Sequence, residues 1–82
     1  MIFVVSGNRA QADEFERLSG RKVKYVSCVQ DLMGYRRDDM DVYYFGNYDL
    51  REDLHYLSHV LKSRGVEPKH ISWMDLENHG LG

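Results

Sequence analysis

The chain has 82 residues, of which 43% are hydrophobic and 29% are charged, and its formal net charge is −2. This composition is typical of a single small soluble domain, and the net charge gives no indication of the strongly basic surface with which proteins usually bind nucleic acid. The single cysteine cannot form an intramolecular disulfide, and the chain has no apolar run of the roughly 20 residues needed to span a bilayer. We therefore expect a cytoplasmic protein with no membrane or nucleic-acid partner.

A strand followed by a helix opens the predicted fold. Ile2 to Ser6 is a mainly apolar run that ends at Gly7, a pattern typical of a strand buried on both faces. Asn8 is suited to cap the next helix, and Gln11 stands at the capping-box position three residues later. Gly20 marks the end of that helix.

The rest of the chain continues the alternation of strands and helices. The sequence predicts a second strand over VKYVSC (23–28), a short helix over 29–33, and a third strand over DVYYF (41–45). Apolar residues at helical spacing from Leu50 to Leu61 predict another helix, and HISWM (70–74) follows as a fourth strand. The polar end of the chain indicates a frayed C-terminal tail, 77–82, after a single domain, 1–76.

The element order β-α-β-(short α)-β-α-β predicts an α/β fold, a small Rossmann-like three-layer sandwich. Its parallel four-stranded sheet should have the order 2-1-3-4, with right-handed crossovers. The residues expected to be mostly buried in its core are Val4, Val5, Phe15, Leu18, Tyr25, Val42, Tyr44, Leu54, Leu57 and Leu61.

Two stretches of the chain resemble each other, VVSGNRAQADEFERLS (4–19) and YYFGNYDLREDLHYLS (43–58). Each places a Gly-Asn pair directly after a predicted strand. In the order 2-1-3-4 these two strands are neighbours, so the Gly-Asn turns should lie side by side at the topological switch point. Open α/β sheets usually bind their ligands at that point.

The Gly-Asn turns have two interpretations. Any β-α connection needs a residue that turns sharply and one that caps the helix, so the pairs have a structural role without a ligand. Alternatively, the helix start and nearby polar groups bind an anion such as a phosphate compound, with the second turn as a lid. The candidate ligand-binding residues are Ser6, Gly7, Asn8, Arg9, Gly46, Asn47 and Tyr48.

No catalytic residue, metal site or cofactor is predicted. His55 and His59 stand four residues apart on the second long helix, but the sequence offers no further ligands in a metal-binding pattern, so we expect surface histidines. Cys28 has no histidine near it in sequence and is expected to be a small buried side chain. The glycine motifs of dinucleotide-binding and P-loop proteins are missing from the sequence.

Two aromatic residues are candidates for an interface. Tyr48 directly follows the second Gly-Asn pair, where it could anchor a partner. Trp73 lies in the predicted fourth strand, which would be an edge of the sheet and would favour pairing with a second chain. We expect a homo-oligomer on this basis.

Three segments resemble small phage-encoded Rossmann-like proteins: IFVVSGNRAQADEF (2–15), YVSCVQDLMGYR (25–36) and LREDLHYLSHVLKSRG (50–65). The resemblance implies an accessory factor that acts in the host cytoplasm, on a host protein. It transfers no catalytic residue. Two hypotheses follow: a non-enzymatic interaction module that binds itself or another protein, and a module that binds a nucleotide or another phosphate compound at the Gly-Asn loops.

Overall fold

The computed structural model describes residues 1–81. The strands are β1 (Ile2–Val5), β2 (Val23–Tyr25), β3 (Asp41–Tyr44) and β4 (Lys69–His70), and the helices are α1 (Arg9–Ser19), α2 (Leu54–Ser63) and α3 (Trp73–His79). Short 3-10 helices span Val29–Leu32, Arg37–Asp39 and Tyr48–Leu50.

The four strands form one parallel sheet with the order β2-β1-β3-β4, so the predicted α/β fold and strand order are confirmed. β1 lies in the interior of this sheet, where Val4 pairs with Tyr25 on one side and with Tyr43 on the other. This position explains its continuous apolar sequence, because both of its faces are covered.

Helices cover both faces of the sheet. α1 and α3 pack on one face through Ala12, Phe15 and Leu76, all of which are buried. On the other face Leu57 and Leu61, one turn apart on α2, pack beside Leu32 of the first 3-10 helix. The result is the expected three-layer sandwich.

Most of the predicted core residues are buried. Those buried are Val4, Val5, Phe15, Val42, Tyr44, Leu57 and Leu61, whereas Leu18, Tyr25 and Leu54 are half-buried. Leu50, expected on the apolar face of the second long helix, is 75% exposed because that helix begins only at Leu54. Cys28 is also exposed rather than buried, since it lies in the loop after β2.

The fourth strand differs from the prediction. β4 consists of Lys69 and His70 alone, and Trp73 is the first residue of α3. The Oγ atom of Ser72 accepts a hydrogen bond of 3.1 Å from the backbone N–H of Asp75 and so caps this helix. The assignment of Trp73 to an edge strand was therefore wrong.

The C-terminal residues are also more regular than expected. α3 runs to His79 and buries Leu76 against the sheet, so the boundary predicted at residue 76 falls inside a helix, and residues 77–79 are its last turn. Of the tail predicted at 77–82, Gly82 lies outside the described residues. No helix within residues 1–81 is long and apolar enough to cross a membrane.

Candidate functional site

The two Gly-Asn turns lie side by side at the carboxyl ends of β1 and β3, as predicted. The backbone N–H of Phe45 donates a hydrogen bond of 3.0 Å to the carbonyl of Val5, so the pairing of the two strands continues up to the turns. The turns are close enough that a Cβ atom placed on Gly7 would lie 2.9 Å from the Cβ of Asn47. A side chain at Gly7 would therefore push the second turn away.

Gln11, on the first turn of α1, joins the two Gly-Asn turns. Its Oε1 atom accepts hydrogen bonds from the backbone N–H of Gly7, at 2.8 Å, and from that of Asn47, at 3.0 Å. A Cβ atom on Gly46 would lie 2.8 Å from Cδ of Gln11, and Gly46 also has a φ of +65°, which favours glycine. The capping-box pattern placed Gln11 at the helix start but did not predict this bridge.

Arg51 occupies the neighbouring position, at the carboxyl ends of β1 and β2. Its guanidinium donates to the backbone carbonyls of Ser6 at 3.1 Å, Val26 at 2.6 Å and Ser27 at 3.0 Å. Two further hydrogen bonds, of 2.9 and 3.0 Å, join it to the carboxylate of Asp53. The side chain of Arg51 is only 8% exposed.

The charges of Arg51 and Asp53 stabilise each other. Burial disfavours the charge of Arg51, but its hydrogen bonds and attraction to Asp53 outweigh burial, so the pKa of Arg51 is raised above its ordinary value. The hydrogen bond from Arg51 is the main reason that the pKa of Asp53 is lowered. Sequence analysis missed Arg51, because its partners lie up to 45 residues away in the chain.

The polar side chains of the first turn are engaged within the protein. Ser6 is buried, and its Oγ donates a hydrogen bond of 2.7 Å to the carbonyl of Asn8. Asn8 caps α1, since its Oδ1 accepts from the N–H of Gln11 at 3.0 Å. Arg9 places its guanidinium over the ring of Tyr25, 5.4 Å from the ring centre. The structural interpretation of the Gly-Asn turns thus accounts for the hydrogen bonds of Ser6 and Asn8.

Tyr48 and Trp73 border a surface groove of about 450 Å³ beside the second turn, to which His70 and Asp75 also contribute. We call it the Tyr48–Trp73 groove. The hydroxyl of Tyr48 is hydrogen-bonded to Nδ1 of His70 at 3.0 Å, and the indole of Trp73 packs on the ring of Phe45 with a centroid distance of 4.4 Å. The two residues predicted for an interface therefore share one surface, although Trp73 reaches it from a helix.

Three other reactive side chains are exposed, and one of them, Cys28, follows Ser27, whose carbonyl Arg51 binds. His55 and His59 are exposed on α2, and Cys28 is exposed after β2. Within residues 1–81, no three histidine, cysteine or acidic side chains are grouped in a way that could hold a metal ion.

Comparison of the chain with protein-family models, curated protein sequences and solved structures finds no match. The functional interpretation therefore depends on the geometry of the residues described above.

Proposed function

We propose that the protein is a non-enzymatic interaction module that binds a protein partner through the Tyr48–Trp73 groove. One observation carries the proposal: Gln11 and Arg51 occupy the switch point where a ligand would otherwise lie. The polar atoms there already have partners within the chain. The neighbouring surface is instead lined by aromatic rings and a histidine.

The chemistry of the groove suits a protein surface. Trp73 is 37% exposed and its neighbour Met74 is 69% exposed, so both have apolar area that a partner could cover. Aromatic residues contribute much of the free energy of binding in protein interfaces, and methionine adapts its shape to different partners. Tyr48 is fixed by its hydrogen bond to His70 and by its contact with Tyr44, which reduces the entropy lost on binding.

A second copy of the chain is the partner that can be tested with the protein alone. A domain of this size buries a smaller fraction of its unfolded surface than a large domain does, roughly 60 to 65%, so association can add to its stability. The free edge of the sheet at β4 adjoins the groove through His70, so a symmetric pair could cover both. The resemblance to phage-encoded proteins makes a protein of the host cytoplasm the next partner to test.

The ligand-binding hypothesis is less favoured by the geometry. A phosphate compound held by Ser6, Gly7 and Asn8 and covered by Gly46 and Asn47 would have to displace Gln11 from two backbone N–H groups. Each hydrogen bond lost in this way costs about 1 kcal/mol, which the new contacts would have to exceed.

Sedimentation equilibrium of the wild-type protein and of three variants tests the proposal. Trp73→Ala should weaken self-association about 30-fold, equivalent to about 2 kcal/mol, because it removes apolar contact area from the groove. Met74→Asp should also weaken it, because it places a charge in the exposed apolar area next to Trp73. Tyr56→Ala is the matched control, since this tyrosine is 57% exposed on α2 and does not line the groove. If Trp73→Ala fails to fold, Met74→Asp still tests the proposal, because Met74 is largely exposed and its replacement should leave the fold intact.

One result would refute self-association, and another would contradict the proposal as a whole. A wild-type protein that stays monomeric at about 1 mM, where even weak association is detectable, would refute self-association. Calorimetric binding of a nucleotide that is lost in Arg9→Ala but kept in Lys24→Gln, with unchanged sedimentation in all variants, would favour the ligand-binding hypothesis instead.

A further inference from the structure

A cavity of about 700 Å³ follows the free edge of β2, on the opposite edge of the sheet from the Tyr48–Trp73 groove. Side chains from both faces of the sheet reach it because successive residues of a strand point to opposite sides. We call it the β2-edge groove. Its charged and aromatic side chains are those of Arg9, Lys22, Lys24, Tyr25, Asp31 and Tyr35.

The groove concentrates positive charge in a protein whose formal net charge is −2. Arg9, Lys22 and Lys24 line it together. Within residues 1–81, the side-chain ion pairs form at Arg17, Arg37 and Arg51 and involve none of these three cations. Three cationic side chains therefore remain available to an anion from solution.

Two of these cations are held in place by tyrosine rings. The guanidinium carbon of Arg9 lies 5.4 Å from the ring centre of Tyr25, and Nζ of Lys24 lies 5.4 Å from that of Tyr35. Such contacts leave the donor hydrogens of the cation free while restricting its motion. The charges are thus partly preorganised before any ligand arrives.

Among residues 1–81, Asp31 is the carboxylate that lines the groove, and hydrogen bonds from Ser27, with a smaller contribution from the charge of Lys24, lower its pKa. Its Oδ2 atom accepts hydrogen bonds from the N–H and the Oγ of Ser27, at 2.8 and 2.7 Å, and from the N–H of Cys28 at 3.2 Å. These three hydrogen bonds to one oxygen stabilise the negative charge of the carboxylate within the loop. Asp31 therefore reduces the positive potential of the groove without cancelling it.

The β2-edge groove is less suited to an added β-strand than to a small ligand. The backbone N–H of Val23, the first residue of β2, is already bonded to Oε1 of Glu16 at 2.9 Å. A peptide or a second copy that extended the sheet at this edge would lose that donor, and lysines on an edge strand also discourage such pairing. The volume lies within the range of about 300 to 1,000 Å³ that is common for small-molecule sites.

We propose that the β2-edge groove binds a small anion that carries phosphate groups, with Arg9, Lys22 and Lys24 as its charge partners. Lysine and arginine are the usual partners of phosphate oxygens, and three cations suit a ligand with more than one negative charge. This site is separate from the Tyr48–Trp73 groove, so either proposal can fail while the other holds.

NMR titration of the ¹⁵N-labelled protein with inorganic pyrophosphate tests this proposal. We expect saturable shifts of the backbone amides of residues 22–27 and of Arg9. Lys24→Gln should weaken the affinity about tenfold, because a hydrogen bond between charged groups is lost. Lys69→Gln is a matched control, since Nζ of Lys69 lies 5.5 Å from the ring centre of Tyr43 but on β4, at the other edge.

The same titration can overturn the proposal in three ways. The proposal is wrong if pyrophosphate causes no saturable shifts up to about 10 mM, a limit that corresponds to binding weaker than about −3 kcal/mol. It is also wrong if Lys24→Gln and Lys69→Gln weaken binding equally, because general charge attraction would then explain the result. Tighter binding of an acidic peptide than of pyrophosphate at residues 22–27 would show that the groove accepts a peptide instead.

Discussion

Replacing Arg51 with methionine should destabilise the fold strongly, although Arg51 lies outside the hydrophobic core. Methionine keeps most of the apolar stem but removes the guanidinium that donates to three backbone carbonyls and pairs with Asp53. The carbonyls of Ser6, Val26 and Ser27 would lose a charged donor. Asp53 would keep its charge without its partner.

The magnitude follows from the burial of the pair. A hydrogen bond to a charged group contributes about 1.5 to 3 kcal/mol, and breaking a fully buried ion pair costs about 3 to 5 kcal/mol. The side chain of Arg51 is 8% exposed but that of Asp53 is 38% exposed, so water can solvate the carboxylate once it is unpaired. We therefore expect a loss of about 3 kcal/mol, out of a total stability of about 4 to 12 kcal/mol for a domain of this length.

Urea denaturation followed by circular dichroism would measure the loss, and thermal melting should show a midpoint lower by about 12 to 24 °C. Arg17→Met is the control, because the side chain of Arg17 is 66% exposed in its pair with Glu14. Removing such a surface ion pair should cost less than about 1 kcal/mol. Equal losses in the two variants would refute the role assigned to Arg51.

Three further predictions concern the core, the Gly-Asn turns and acid stability. Leu57→Ala should cost about 2 to 5 kcal/mol in chemical denaturation, since Leu57 is fully buried, and a loss below about 1 kcal/mol would contradict the packing of α2. Gly46→Ala should destabilise the protein by at least about 1 kcal/mol more than Gly20→Ala. Both glycines have a positive φ, which costs alanine about 1 to 2 kcal/mol, but only at Gly46 would the added Cβ also clash with Gln11. Because the pKa of Asp53 is lowered in the folded state, its stabilisation is complete above the ordinary aspartate pKa of about 3.9 and is lost as the pH falls through the lower folded value. In Asp53→Asn, the free energy of unfolding should therefore fall less steeply as the pH is lowered. An unchanged pH dependence would show that other carboxylates cause the loss of stability in acid.

The sheet was predictable from the sequence because its signals are local. The apolar run at Ile2–Val5, the Asn8 cap and the glycines after β1 and β3 each act within a few residues of the chain. The alternation of strands and helices then leaves few arrangements, and the order β2-β1-β3-β4 is one of them.

The C-terminal region was less predictable because its local signals conflict. The segment around Trp73 contains apolar residues at a spacing that suits a short strand, whereas Ser72 followed by Asp75 suits a helix start. The burial of Leu76 between α1 and the sheet favours the helix, and this contact joins residues far apart in the chain.

The sequence did not predict that Gln11 and Arg51 fill the switch point, because their contacts join residues that are far apart in the chain. Gln11 reaches Asn47 across 36 positions and Arg51 reaches Ser6 across 45, so no local pattern relates them. The repeated Gly-Asn pairs correctly indicated where the turns meet. They could not indicate that the protein's own side chains would occupy the space between them.

The central position of β1 has a consequence for how the chain folds during its synthesis. β1 leaves the ribosome before β3, yet it needs β3 on one side, and the guanidinium that holds its carboxyl end belongs to residue 51. A nascent chain that ends before β3 would leave one edge of β1 and much of its apolar surface exposed to water. Such exposed edges attract other chains and chaperones. The native sheet can therefore form only after residues 41–51 have left the ribosome, and fragments lacking these residues should aggregate rather than fold.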